Sequence, residues 1–130
     1  MKIAIIGAGA SGLALAGLCA TNYDVYVFER LSSPGRKILA SGNGRCNMSN
    51  LNMDERFYNH KDFVKRLYDS IPKEKVYDYF DSLGILTKAD NEGRIYPYSN
   101  SSQTVLDALL NKCQNVHFNY NYLVKNIRYN

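Results

Sequence analysis

The six residues GAGASG place Gly7, Gly9 and Gly12 in GxGxxG register directly behind the apolar run IAII at residues 3–6. That run is short and mostly β-branched, which predicts a strand buried on both faces of a sheet. Residues 14–20 predict a helix of small side chains, broken at Asn22 and Tyr23, and residues 25–28 (VYVF) predict a second strand that ends in Glu29. Strand, glycine turn, helix, strand and acid together make a βαβ unit, which implies an α/β, Rossmann-like fold on a parallel sheet. Each part has a physical task. Gly7 permits a tight turn, Gly9 lets backbone approach a pyrophosphate, and Gly12 lets the helix sit close to the strand. Unpaired N–H groups at the helix start, Ala8 and Ser11 beside them, favour phosphate charge. Glu29 is placed to accept from both hydroxyls of an adenosine ribose, and this disfavours a 2′-phosphate there, although the adjacent Arg30 softens that exclusion. The motif by itself does not choose between NAD and FAD.

A chain of 130 residues holds one domain with a real core and is too short for two. Its net charge of +4 is mild, and its cations are scattered apart from Arg36, Lys37 and Arg45, so no nucleic-acid face is expected. Cys19, Cys46 and Cys113 show no CxxC spacing. This argues against a disulfide framework and a zinc site and fits a reducing, cytoplasmic compartment. The apolar start is interrupted by glycines and followed by the strand-like VYVFER, unlike a signal peptide, and no stretch is long enough for a membrane span, so a soluble protein is expected.

Residues 35–50, GRKILASGNGRCNMSN, show neither helical nor strand periodicity. A polar loop of this length is uncommon in a compact domain unless it binds something. It leaves the carboxyl end of the second strand, where the ligand crevice of an open α/β sheet lies. Arg36, Lys37 and Arg45 are fit to neutralise phosphate. The backbone of Gly42, Asn43 and Gly44 can approach a flat ring, and Asn43, Asn47 and Asn50 carry amides that both donate and accept. The plainer alternative is a solvated basic loop.

This stretch resembles the signature G-R-K-x-x-x-S-G-x-G-R-C-N-x-[ST]-N of the BaiN-like, aminoacetone-oxidase-like NAD(P)/FAD-dependent oxidoreductases of bacteria. EGRIYPYS at residues 92–99 and the helix pattern of residues 105–110 are similar to two further elements of that family. The resemblance implies FAD, with pyrophosphate over Gly7, Ala8, Gly9, Ser11 and Gly12 and ribose on Glu29 and Arg30. The loop residues Arg36, Lys37, Ser41, Gly42, Asn43, Gly44, Arg45, Cys46 and Asn47 would lie along the cofactor, and the backbone amide of Val124 would contact adenine. NAD(P)H is the implied reductant. The small-molecule substrate and the catalytic residues stay unknown.

Beyond the signature, residues 60–70 and 73–83 predict two amphipathic helices, with Phe63, Leu67 and Ile71, then Val76, Phe80 and Leu83, on their apolar faces. Residues 86–88 and 94–98 predict strands around the turn ADNEG, residues 104–113 a helix, and residues 116–120 and 122–127 closing strands. The tyrosines at 58, 68, 77, 79, 96 and 98 read as core before pocket. His60 reads as a helix-start residue, His117 as structural, and Cys46 as a packed thiol before a reactive one. Proteins of the resembled family are expected to be much longer. On that expectation, residues 1–130 form the N-terminal portion of an FAD-binding domain, VKNIRY begins an antiparallel layer over the sheet, and the chain alone lacks turnover. A free sheet edge and exposed apolar surface would then favour self-association or completion by another chain.

Overall fold

The computed structural model describes residues 1–128. β1 (Lys2–Ile6) leads through the glycine turn into α1 (Ala10–Cys19) and β2 (Asp24–Phe28). Then follow α2 (Arg36–Ala40), a 3₁₀ turn (Ser41–Gly44), β3 (Ser49–Asn50) and a second 3₁₀ turn (Glu55–Phe57). Two helices, α3 (Lys61–Ser70) and α4 (Glu74–Ser82), precede the hairpin β4 (Thr87–Ala89) and β5 (Arg94–Pro97). The chain then forms α5 (Ser102–Asn111) and β6 (Val116–Asn119). The described residues form two sheets: a parallel one ordered β1-β2-β6, and an antiparallel one ordered β3-β5-β4.

The parallel register pairs Ile5 with Val27 and Val27 with Phe118, so alternate residues share a face. On one face Val25 and Val27 are fully buried against Leu13 and Ala16 of α1, in a cluster that also takes in Val105 and Leu109 of α5. Each such valine or leucine contributes about 1.5–3 kcal/mol by leaving water. α1 and α5 pack so closely that a Cβ on Gly17 would stand 2.9 Å from that of Lys112. The opposite face is open. Ile6 is 56% exposed, and Tyr26 stacks on His117 with ring centroids 4.6 Å apart. The first strand is therefore buried on one face, not on two as its sequence predicts. β1 has no neighbour on its outer side among the described residues, and Leu15 and Leu18 of α1 are exposed.

Several expectations shift. α1 begins at Ala10, four residues earlier than the small-residue run predicts, because the glycine motif itself forms the first helical turn. Residues 36–40, predicted irregular, form a short helix, and Ser41–Gly44 follow as a turn with left-handed backbone at Gly42 and Asn43. Phe63, Leu67 and Ile71 are exposed rather than packed, and only Val64 of α3 is buried. Residues 122–127 form no strand: β-rich sequence needs a partner ladder, and none of the described strands lies beside it. The antiparallel layer comes instead from β3, β4 and β5, with Gly93 closing the β4–β5 turn through its N–H to Asp90 O at 3.0 Å. Tyr129, the last residue of VKNIRY, lies outside the described residues.

Candidate functional site

The turn after β1 is built from backbone. Gly7 has a φ of +95°, a conformation side-chained residues avoid, and its N–H donates to Phe28 O at 2.8 Å. A Cβ on Gly12 would stand 2.0 Å from Gly7 O, so only glycine lets the helix start sit against the turn. Gly9 differs. A Cβ there would meet nothing within 4 Å, which leaves open space above the turn. Gly9 is the N-cap of α1, no side chain caps that end, and no acid stands in its first turn. The first intrahelical bond is Leu13 N–H to Gly9 O at 2.9 Å, so the amides of Ala10, exposed Ser11 and Gly12 precede the ladder. An uncapped helix start under open space, reached over a bare glycine, fits a phosphate group.

Glu29 at the tip of β2 is buried, and its carboxylate accepts from Ala8 N–H at 2.7 Å and from Leu31 N–H at 2.9 Å. The Ala8 amide, more than any other neighbour, holds this carboxyl below the usual carboxylate range; burial opposes it, and the Leu31 amide and the charge of exposed Arg30 add to the lowering. One oxygen is taken by each amide. Each keeps a further lone pair.

The signature stretch is anchored to the same turn: Gly35 N–H donates to Ala8 O at 2.8 Å. Behind it Gly35 packs on Leu106, and Ser102 Oγ donates to Leu39 O at 3.0 Å, so α5 backs α2. Arg36 and Lys37 stand exposed on α2. Ser41 Oγ donates to Ile38 O at 2.8 Å and closes that helix. Gly42, Asn43, Gly44 and Cys46 then take positive φ. A Cβ on Gly42 would reach Asn47 N at 2.6 Å, whereas one on Gly44 would meet nothing within 4 Å. The Arg45 guanidinium lies 4.4 Å from the centre of the buried Tyr96 ring. Cys46 is buried in the main core.

Hydrogen bonds thus bring Gly7, Ala8, Glu29 and Gly35 together, with Gly9 and Gly12 in the same turn. Arg45 and Asn47 belong to the other end of the loop, where Met48 N–H joins the antiparallel sheet at Ile95 O, 2.8 Å away. The signature is a strap from the glycine turn to the second sheet. Val124, half-buried, follows Tyr122, whose N–H donates to Glu29 O at 2.8 Å, so the segment after β6 runs past the acid.

Sequence reasoning missed a cleft of about 700 Å³ where this strap meets α3 and α4, lined by Asn47, Met48, Asn52, Phe57, Tyr58 and Tyr68 among others. The signal was present in Tyr58 and Tyr68, which read as core. Tyr96 is core; Tyr58 is exposed on this cleft. Exposed His60 precedes α3 without capping it, and His117 lies 3.2 Å from Asp24. The three cysteines are unpaired thiols, and the described residues include no cluster fit for a metal ion and no helix long and apolar enough to cross a membrane.

Among known proteins, the chain is 39% identical over 114 residues to the 3-dehydro-bile acid delta(4,6)-reductase of Clostridium scindens, covering 83% of this chain and 27% of that protein. It is 34% identical over 115 residues to the ribosomal RNA dihydrouridine synthase of Escherichia coli, covering 85% and 28% respectively. The chain therefore spans little more than a quarter of the length of these relatives. The crystal structure of Thermovibrio ammonificans THI4 superposes on 92% of this chain and 38% of its own with a TM-score of 0.52, at 19% identity, and shares the fold. Residues 1–130 match the family described as the HI0933-like protein Rossmann domain over their whole length, and the chain belongs to that family.

Proposed function

We propose that residues 1–130 are the FAD-binding portion of a flavin-dependent oxidoreductase. The observation that carries this reading is the joining of Glu29 to the Ala8 amide beneath an open, uncapped α1 start. Pyrophosphate would rest over Gly7, Gly9, Ser11 and Gly12, where the helix amides and dipole meet its charge. The remaining lone pairs of Glu29 would take the ribose hydroxyls, beside Arg30, and Val124 would border adenine. Arg36 and Lys37 would offset the negative charge of the phosphates. Ser41, Gly42, Asn43, Gly44, Arg45, Cys46 and Asn47 would line the way towards the flavin ring. Bound flavin supplies hydride or electron transfer; the chain supplies orientation and electrostatics. Reduction is also what the name of the bile-acid relative states, and NAD(P)H is the reductant this reading carries.

The second reading is an NAD-binding domain, which the glycine turn and Glu29 alone would equally serve. Equilibrium titration of the purified chain with FAD and with NAD separates the two, with the mass of any co-purified ligand as a second measurement. FAD bound at least tenfold tighter than NAD is the expected result. Preference for NAD would replace the first reading by the second.

A further inference from the structure

The cleft at the far end of the strap is about 700 Å³, the size of a small-molecule site. Its body is apolar and aromatic, from Met48, Met53, Phe57 and Leu67, while Asn47 and Asn52 add neutral amides. Among its lining residues the charged ones are Asp54 and Glu92, and both are already matched, by Arg56 at 2.8 Å and by Arg94 at 2.9 Å. No lining residue is a cation, and the neighbouring Lys73 ammonium is engaged by Met53 O and lies 5.0 Å from the centre of the Tyr68 ring, so the wall itself offers an anion no cationic partner.

The polar focus is a pair of phenols. Tyr68 donates its hydroxyl proton to Tyr58 Oη at 3.2 Å, with the rings edge to face at 6.4 Å. The Tyr58 proton is therefore directed away from Tyr68, and both tyrosines line the cleft. Such an arrangement offers a donor to whatever occupies the space. Burial and the Tyr58 contact push the Tyr68 phenol up to about 12, so it keeps its proton and its role as donor at neutral pH.

We infer that this cleft binds an uncharged, largely apolar molecule bearing a carbonyl group, whose oxygen accepts a hydrogen bond from Tyr58. As the place of a flavoenzyme's substrate the cleft rests on the function proposed above; as a binding site it does not.

The test uses the whole chain without FAD. The neutral naphthyl ketone 6-propionyl-2-(dimethylamino)naphthalene is titrated by its blue-shifted emission, then displaced by 2-acetylnaphthalene, by 2-naphthoate and by naphthalene. The ketone is expected to bind about tenfold tighter than the carboxylate. Tyr58→Phe is expected to weaken the ketone about three- to tenfold, the size of one neutral hydrogen bond, and to leave naphthalene unchanged. Leu67→Asp, at a partly exposed lining position, is expected to weaken all of them, with circular dichroism confirming the fold. No binding, equal binding of the carboxylate, equal loss of naphthalene in Tyr58→Phe, or indifference to Leu67→Asp would each overturn the inference. FAD affinity is measured separately on the same variants. Its absence with probe binding intact defeats only the flavin reading, and the converse defeats only this one.

Discussion

The carboxylate of Glu29 lies 2.7 Å from the amide nitrogen of Ala8, so the acid at the tip of β2 is tied to the glycine turn at the tip of β1. Two segments separated by α1 thereby hold one geometry before any ligand arrives. The same carboxylate steadies Leu31 N–H and the exit of the strand.

Replacing Glu29 by Ala should therefore do two things. Leaving the Ala8 amide without its partner should cost about 1–3 kcal/mol of stability, read from urea unfolding. Loss of the ribose acceptor should weaken FAD by about 2 kcal/mol, read by titration. Glu29→Gln keeps one acceptor and should lose less of each. A destabilised variant with unchanged FAD affinity would show that the acid serves the fold alone.

Gly9 and Gly12 should separate folding from binding. The Cβ of Gly12→Ala would stand 2.0 Å from a backbone oxygen, so the turn must shift, at a cost of about 3 kcal/mol. The first carbon of Gly9→Val meets no protein atom within 4 Å, so its helix should form normally by circular dichroism. Its side chain would fill the open space proposed above for pyrophosphate, and on that proposal FAD binding should vanish. Normal FAD binding by that folded variant would make the glycine turn purely structural.

Stability should carry a signature of Glu29 in acid. Its folded pKa is depressed, first by the Ala8 amide, below the reference value of 4.5. The unfolded chain therefore takes up this proton at a higher pH than the folded one. The contribution is complete above the ordinary carboxylate range, begins to fall near it, and is lost as pH drops through the depressed value. Urea midpoints of wild type and Glu29→Gln should accordingly converge as pH falls from 7 to 3. A constant gap would mean that the carboxylate's charge is immaterial.

Most elements longer than four residues were legible because their apolar spacing repeats: β2, α3, α4 and α5 fall within two residues of the predicted bounds. α2 was not. It has five residues, too few for a period to show, and it starts from Gly35 in a left-handed conformation rather than from a capping side chain. The two residues of β3 owe their state to pairing with Arg94 and Ile95, a contact 44 residues or more along the chain in the register Asn50↔Arg94 and Ser49↔Ile95. Residues 122–127 fail in the opposite sense, since their strand-like composition has no described neighbour to pair with. Of the candidate site, the glycine turn and its acid were readable because local order fixes them. The cleft was not, because its walls come from four separated segments.

Arg45 offers a test of how the strap is held at its far end. Its guanidinium sits over Tyr96, so Arg45→Ala should cost about 0.5–1 kcal/mol in thermal or urea unfolding. The loss should persist in Tyr96→Phe, which keeps the ring, and disappear in Tyr96→Leu. Additive losses in the second pair would mean the stacking contributes nothing.

Gly42, Asn43, Gly44 and Cys46 have φ values of 55°, 56°, 80° and 59°, so four of five successive positions use backbone that side-chained residues resist by about 1–2 kcal/mol each. The strap is thus spelled in a restricted alphabet. Branched or bulky letters inserted there would unwind the path before they could touch a ligand. If the loop recognises a ligand as proposed, a change in what it recognises would have to be written at its margins, in the side chains of Arg36, Lys37 and Asn47, while the bend between them stays fixed like a hinge pin that admits one gauge of metal.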